Sequence, residues 1–369
     1  MHPTWQQTPK DAERLAELLA ESRRIKGLSL GRDAWRRLRR SQIAMFSLVY
    51  LVVVGLAALL TPLWPLASPR EVHTDRRFAP PTTWPLMNQG IRLVDDAGQL
   101  DDNAINAAFG ELDGFDRLLV RVRIAVFGAN CLASVCGTDE LGRDVLSRIF
   151  WGGRVSLLVG LVAALVSLVI GVSYGAISGY IGGLVDDAMM RLVDVLYAIP
   201  FIFVVIYLIT VLSALEASLG GHFDRITLFF FVVGAIYWLT MARVVRGQIM
   251  SLKHEQFTEA ARTIGAGRAR IIFRHLVPNL LSVVIVYLTL TIPRVMLFEA
   301  FLSFLGLGVE PPDVSWGLLA NQGLRVITPV RVYWWLVVFP AIALGTTLFA
   351  LNFFGDGLRD ALDPRLKHR

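Results

Sequence analysis

The sequence is short of charge. Asp, Glu, Lys and Arg make up 18% of its 369 residues, while 54% are hydrophobic, a balance far from that of soluble domains. Cysteine is almost missing: only Cys131 and Cys136 occur, at a spacing that suits neither the common zinc patterns nor a CxxC redox pair. No Gly-x-x-x-x-Gly-Lys-Ser/Thr loop is present, so the chain is not expected to bind ATP itself. No His-Glu-x-x-His pair occurs, so no catalytic centre, metal site or bound cofactor is expected. The net charge of +6 comes largely from basic residues beside the ends of apolar blocks. It reads as a topological signal and not as a nucleic-acid surface.

The apolar residues that are there gather into long uncharged blocks. A bilayer core of roughly 30 Å takes about 20 residues of helix, whose backbone bonds to itself. Spans are predicted at about 43–61, 155–178, 192–213 (with Pro200 inside it), 226–243, 278–299 and 332–354. The expected fold class is an all-α polytopic membrane protein with about six transmembrane helices. The six histidines (His2, His73, His222, His254, His275 and His368) fall outside the span interiors, which argues against an intramembrane hydrolase. Neither an internal repeat nor mid-span carboxylates are seen, which argues against an ion-driven secondary transporter.

Basic residues set the orientation. They crowd the N-terminal flank (Arg32, Arg36, Arg37, Arg39, Arg40), the 243–274 segment (Arg243, Arg246, Lys253, Arg262, Arg268, Arg270, Arg274) and the tail (Arg359, Arg365, Lys367, Arg369). With six spans these regions share one side, the cytoplasm, and both termini lie there. About forty polar residues precede the first block, which reads as an uncleaved signal anchor. Leu15, Leu18, Leu19 and Ile25 give an amphipathic helix over 11–26, followed by an interfacial elbow at Trp35. Residues 62–151 face outward as a small external subdomain. Within it Val120, Val122, Ile124 and Val126 alternate with Arg121 and Arg123, which predicts a strand over 117–127. Thr138 or Asp139 is expected to cap a helix on the outer leaflet, with Leu141, Val145, Ile149 and Phe150 as its apolar face.

Between the fourth and fifth spans runs SLKHEQFTEAARTIGAGRARIIFRHLVPN (251–279). Phe257, Ala260, Ala261 and Ile264 sit at helical spacing; Gly265 and Gly267 permit a sharp turn. A second short helix is expected to stop near Pro278. Small Ala260 and Ala261 allow close approach and Glu259 offers charge to a partner; a bent connecting helix without a partner would have the same spacing.

The run Glu259-Ala260-Ala261, three residues, then Gly265 resembles the EAA signature of bacterial ABC import permeases. That signature continues Ile-x-Leu-Pro; here His275-Leu276-Val277-Pro278 keeps the proline. Three further stretches, GTDELGRDVLSR (137–148), FLSFLGLGVEPP (301–312) and LNFFGDGLRDALDPR (351–365), are similar to the peptide-transporter branch. The likeness runs from about residue 32 to the end, thins across 62–130, and is nearest to C-type permeases of oligopeptide importers. The resemblance implies a non-enzymatic permease of the bacterial inner membrane, working by alternating access. It implies as partners a second homologous permease, two cytoplasmic ATPases that hold ATP and Mg, an external peptide-binding protein, and lipid. Related permeases take dipeptides, nickel chelates or peptide antibiotics. Glu259, Ala260, Ala261, Gly265 and Pro278 become the ATPase-coupling residues.

The chain then divides into a cytoplasmic segment at 1–42, the first transmembrane helix at 43–61 and the external subdomain at 62–151. The permease domain follows at 152–356, with its coupling loop at 247–278, and a cytoplasmic tail at 357–369 closes the chain. Arg294 and Glu299, near the outer end of the fifth span, are candidates for the translocation path or for snorkelling to the interface. Asp186, Asp187, Arg191 and Asp194 read as interfacial ion pairs, and Asp139, Arg143 and Asp144 as structural. In an oxidising compartment Cys131 and Cys136 are candidates for a local disulfide; two free thiols are the alternative.

Overall fold

The computed structural model describes residues 30–81, 86–89, 93–94, 101–128, 130–133, 135–219 and 225–362. The amphipathic helix expected over 11–26, residues 220–224 of the 214–225 loop, and the tail residues Arg365, Lys367 and Arg369 lie outside these residues. The elbow is helix α1 (Leu30–Leu38), in which Asp33 and Arg37 pair at 3.0 Å. Its buried Ala34 and Leu38 meet Ala44 and Ala361, tying both ends of the described chain together.

Helix α2 (Gln42–Leu59) contains no charge, and Ser41 caps it by accepting a 3.3 Å bond from the Ala44 amide. A 3₁₀ turn at Thr61–Leu63 ends it. Outside the spans, strand β1 (Leu86–Gln89) pairs antiparallel with β2 (Asn130–Ala133), in the register Leu86 to Ala133. Helices α3 (Asp102–Phe109) and α4 (Gly114–Phe127) lie between them in sequence.

The strand predicted over 117–127 is therefore a helix. The alternation misled because it counted Arg123 as a solvent position. Asp116, Leu119, Val120 and Arg123 are the buried set, spaced three and four apart, and Arg123 bonds the Leu66 carbonyl at 2.7 Å.

Helix α5 (Val145–Ile181) runs 37 residues, with one π-helical turn at Ser167–Gly171. It does not start at Thr138 or Asp139. The Asp144 carboxylate caps it, accepting from the Ser147 amide at 2.8 Å, and the helix then enters the span unbroken. Helix α6 (Gly183–Ala198) and helix α7 (Phe201–Leu219) meet at a 90° bend. Pro200 thus breaks the helix it was expected to lie inside. A proline ring disfavours helical geometry at the preceding residue, and Ile199 is extended there (φ −81°, ψ 123°).

Helix α8 (Arg225–Leu252) packs along α5 at very close range. A Cβ on Gly175 would come within 2.2 Å of the Ala242 carbonyl oxygen, so only glycine permits the crossing. The short helix α9 (Gln256–Thr263) leads to α10 (Arg268–Phe304), which after one α-helical turn passes through a π-helical stretch at Ile271–Leu276. Helix α11 (Trp316–Arg325) and helix α12 (Trp335–Leu362) complete the described chain. Among the described residues α2, α5, α10 and α12 are long and apolar enough to cross a membrane, and the bent α6–α7 pair makes a fifth candidate. Their apolar surfaces are largely exposed, as for a protein solvated by lipid and partner chains.

Candidate functional site

Helix α9 is short, and two devices hold it. At its start the Thr258 hydroxyl donates to the Leu252 carbonyl at 3.0 Å. At its end Gly265 takes φ +80°, its amide bonds the Arg262 carbonyl, and the Ala266 amide bonds the Ala261 carbonyl. This pair of bonds is a Schellman closure, which needs a left-handed residue at that point. The turn read from Gly265 is present.

Only one edge of α9 is buried. Thr258 and Ala261 face inward, and Ala261 joins a cluster with Ala176, Val245, Ile249, Ile271 and Leu276. That cluster draws on α5, α8 and α10, so the short helix is packed onto one end of three long ones. Phe257, Glu259, Ala260 and Ile264 are exposed, Ile264 at 83%. The spacing that predicted an apolar face is right, but most of that face is turned away from the chain's own core.

Pro278 does not stop a helix. The π turn runs directly into the remainder of α10, and Pro278 lies near the junction. Proline has no N–H to offer the carbonyl four residues back, and a wider turn before it relieves that mismatch. The Asn279 side chain bonds the His275 carbonyl at 2.7 Å nearby.

Ion pairs brace the same end of the molecule. Arg246 donates two bonds of 2.6 Å to Asp186, Ser178 also donates to Asp186, and Lys253 reaches the Gly179 carbonyl at 3.1 Å. Arg243 bonds Asp194 at 2.7 Å and stands over the Tyr197 ring at 4.0 Å. The acidic group of α6 therefore pairs across to α8. Asp186 and Arg246 are 60 positions apart, so no local pattern announces it.

Arg294 and Glu299 part company. Arg294 is exposed, on the same face of α10 as Phe298 four residues on. Glu299 is wholly buried; Ser303 donates to it at 2.7 Å and Ser156 at 3.4 Å. Before the start of α5, Asp139 accepts from Arg143 at 2.7 Å and from Arg148 at 2.5 Å, and Arg148 also reaches Gln322 at 2.9 Å. Asp139, Arg143 and Asp144 are buried in structural contacts, and Arg148, which the sequence did not single out, is the most enclosed of the group.

Cys131 and Cys136 are both buried, unbonded thiols. Cys131 is on β2 opposite Asn88, while Cys136 packs with Val145, Trp335 and Leu336. Gly171-Val172-Ser173-Tyr174-Gly175 spells the letters of a hydrolase nucleophile elbow. That chemistry requires a strand-to-helix turn exposing the serine. Here the five residues continue one helix, so the letters carry no nucleophile.

Residues 167–368 match the family described as binding-protein-dependent transport system inner membrane component. The chain belongs to that permease family. Residues 29–81 match the N-terminal transmembrane domain of oligopeptide transport permease C. The permease is 40% identical to the oligopeptide transport system permease protein OppC of Escherichia coli (strain K12) over 356 residues, 96% of this chain and 98% of that one. It is 47% identical to OppC of Haemophilus influenzae over 229 residues, 62% of this chain and 70% of the relative. The dipeptide transport system permease protein DppC of Bacillus subtilis is 36% identical over 350 residues, 94% of this chain and 90% of that one. The permease is a multi-pass, non-catalytic subunit of an ABC transporter, and works with other chains.

Proposed function

We propose that this permease is one half of the membrane pathway of an oligopeptide importer, with α9 as the lever moved by a cytoplasmic ATPase. The observation that carries the reading is the two-sided character of α9. Ala261 and Thr258 lock it to the inner ends of α5, α8 and α10, while Phe257, Glu259, Ala260 and Ile264 present a small apolar face with one charge outward. A helix held this way transmits a push to three long helices at once. Gly265 supplies the turn, and Pro278 follows the π-widened stretch within α10.

In this reading the chain has six spans: α2, α5, the bent α6–α7 pair, α8, α10 and α12. Both termini are cytoplasmic and 62–151 is an external subdomain. The partners are a second homologous permease, two ATPases that hold ATP and Mg, and an external peptide-binding protein. The path face of α10 carries Arg294 and Phe298. Phe298 lines a cavity of about 300 Å³ at the α6–α7 break, with Tyr197, Pro200, Tyr237 and Thr240. Glu299 lies off that path, fixing the segment after α10. The oligopeptide assignment follows the OppC relatives; the DppC relative keeps dipeptides as a second reading.

Affinity purification in mild detergent, with mass spectrometry of the co-purifying chains, tests the assembly. Recovery of a second permease and one or two ATPases is expected. Reproducible recovery of this chain alone would overturn it. Uptake of labelled tri- to pentapeptides against dipeptides, in cells carrying the intact transporter, then decides the substrate.

A further inference from the structure

Helix α4 carries apolar residues on two faces. Its inner face packs Leu119, Val120 and Ile124 into the external subdomain, with Val120 and Ile124 against a cluster holding Ile105 and Phe109. Its other face carries Phe115, Leu118, Val122 and Val126, which are 51%, 55%, 42% and 65% exposed. Their spacing of three, four and four makes one stripe, and Arg121 stands exposed beside it.

The depth of α4 identifies what covers the stripe. Arg154 of α5 donates two bonds, of 2.8 and 2.9 Å, to Asp116 in the first turn of α4. Arg154 lies four residues past Phe150, whose carbonyl accepts from Thr61 at the end of α2. Four helical residues are about 6 Å, so the first turns of α4 sit abreast of the end of the first span and not above it. Helix α4 also packs on the Thr61–Leu63 turn that closes that span. The exposed Leu158, Leu161 and Leu165 follow Arg154 at four, seven and eleven residues along one face of α5. The apolar face of the span thus reaches up to Arg154, and the stripe of α4 begins there. Trp151, under the Arg154 guanidinium at 5.2 Å and stacked on Phe109 at 5.4 Å, sits at the same level, where membrane-interface tryptophans are found.

We propose that α4 is an interfacial helix, whose Phe115, Leu118, Val122 and Val126 rest in the boundary between headgroups and acyl chains. Such helices bury their apolar face about 5–10 Å into that boundary and keep basic residues at headgroup level, where Arg121 stands. The external subdomain is then seated on lipid as well as on the spans.

The test uses the full chain in vesicles of phosphatidylethanolamine and phosphatidylglycerol, alone and in its purified complex. An environment-sensitive fluorophore goes on Leu118→Cys, Val122→Cys or, as a control, Glu111→Cys, each in a Cys131→Ala, Cys136→Ala background. If that background does not fold, a fluorescent unnatural amino acid at position 118 of the otherwise native chain replaces it. Labels at 118 and 122 should emit blue-shifted light and be quenched several-fold more by nitroxide lipid than by aqueous iodide, with the reverse at 111. Stronger iodide quenching at 118 and 122 overturns the proposal, because the stripe then faces water. Protection from both quenchers, or lipid contact seen in the chain alone but lost in the complex, also overturns it, because a partner protein then covers the stripe. The readout does not depend on transport, so it stands or falls apart from the importer reading.

Discussion

Arg246 of α8 grips both carboxylate oxygens of Asp186 on α6, each at 2.6 Å, with Ser178 of α5 bonded to the same carboxylate. Three helices meet in that one group, at the end of the molecule where α9 is anchored. Asp186 is buried and Arg246 about a third exposed. Removing one partner from a buried pair costs about 3–5 kcal/mol; the hydrated side of Arg246 lowers the expectation here to roughly 2 kcal/mol. Asp186→Asn and Arg246→Gln should each lower the melting temperature in detergent. The double variant should fall short of the sum of the two losses. Additive losses would mean the two side chains do not act as a pair.

Gly265 is the point where the α9 turn needs a left-handed backbone. An ordinary L-residue there costs about 1–2 kcal/mol, a β-branched one more, and Asn least. Gly265→Val should therefore abolish most transport-coupled ATPase activity while the protein still inserts. Gly265→Asn should keep a measurable part of it. Equal activity of the two variants would separate the turn geometry from coupling.

Glu259 is exposed on α9 and makes no contact with the chain's own core, so its loss should leave the fold alone. In the proposed assembly Glu259→Lys places the wrong sign against the ATPase surface. At least a tenfold weaker ATPase association is expected, about 1.4 kcal/mol, with membrane insertion and melting temperature unchanged. Pull-down of the ATPase across a concentration series reads this directly. A wild-type curve would remove Glu259 from the interface.

The legible parts of the sequence were those governed by local rules. The uncharged length of 43–61 gave a span, and Gly265 gave the turn, because both answers lie within a few neighbouring residues. Where long-range packing decided, the pattern failed. Arg123 broke the period by going inside to the Leu66 carbonyl, and α4 then read as a strand. Pro200 was read as an inclusion within a span, yet its effect on Ile199 combined with tertiary space to turn the chain by 90°. The Asp186–Arg246 and Arg148–Gln322 contacts join residues 60 and 174 apart, which no window can see. Charge near the end of a span makes Glu299 a candidate for the path or for the interface; its burial against Ser303 and Ser156, the latter 143 residues away, lies beyond any local window.

Arg148 is almost fully enclosed, with one guanidinium nitrogen on Asp139 and another on Gln322. Truncation would leave Asp139 buried with Arg143 as its remaining charged side-chain partner. Arg148→Ala is expected to cost about 3–5 kcal/mol. Arg148→Lys should be intermediate, because an ammonium cannot reproduce the planar fork that serves two acceptors. Thermal unfolding of the detergent-solubilised variants measures this order. Lys as harmful as Ala would show that the fork geometry, and not the charge, is what the site requires.

The two thiols should resist modification at neutral pH. Burial, with Asp144 nearby, pushes Cys136 up to about 11. Burial also raises Cys131, and the neighbouring Arg123 guanidinium offsets this only in part. The reactive species is the thiolate, so at pH 7 roughly one Cys136 in ten thousand is in reactive form. Because the folded pKa lies above the working range, reactivity should rise about tenfold per pH unit between 7 and 9. Maleimide labelling of the intact permease should be slow at pH 7 and should become complete only after unfolding in detergent. Fast labelling at pH 7, or a linked Cys131–Cys136 peptide in non-reducing mapping, would contradict the buried free thiols.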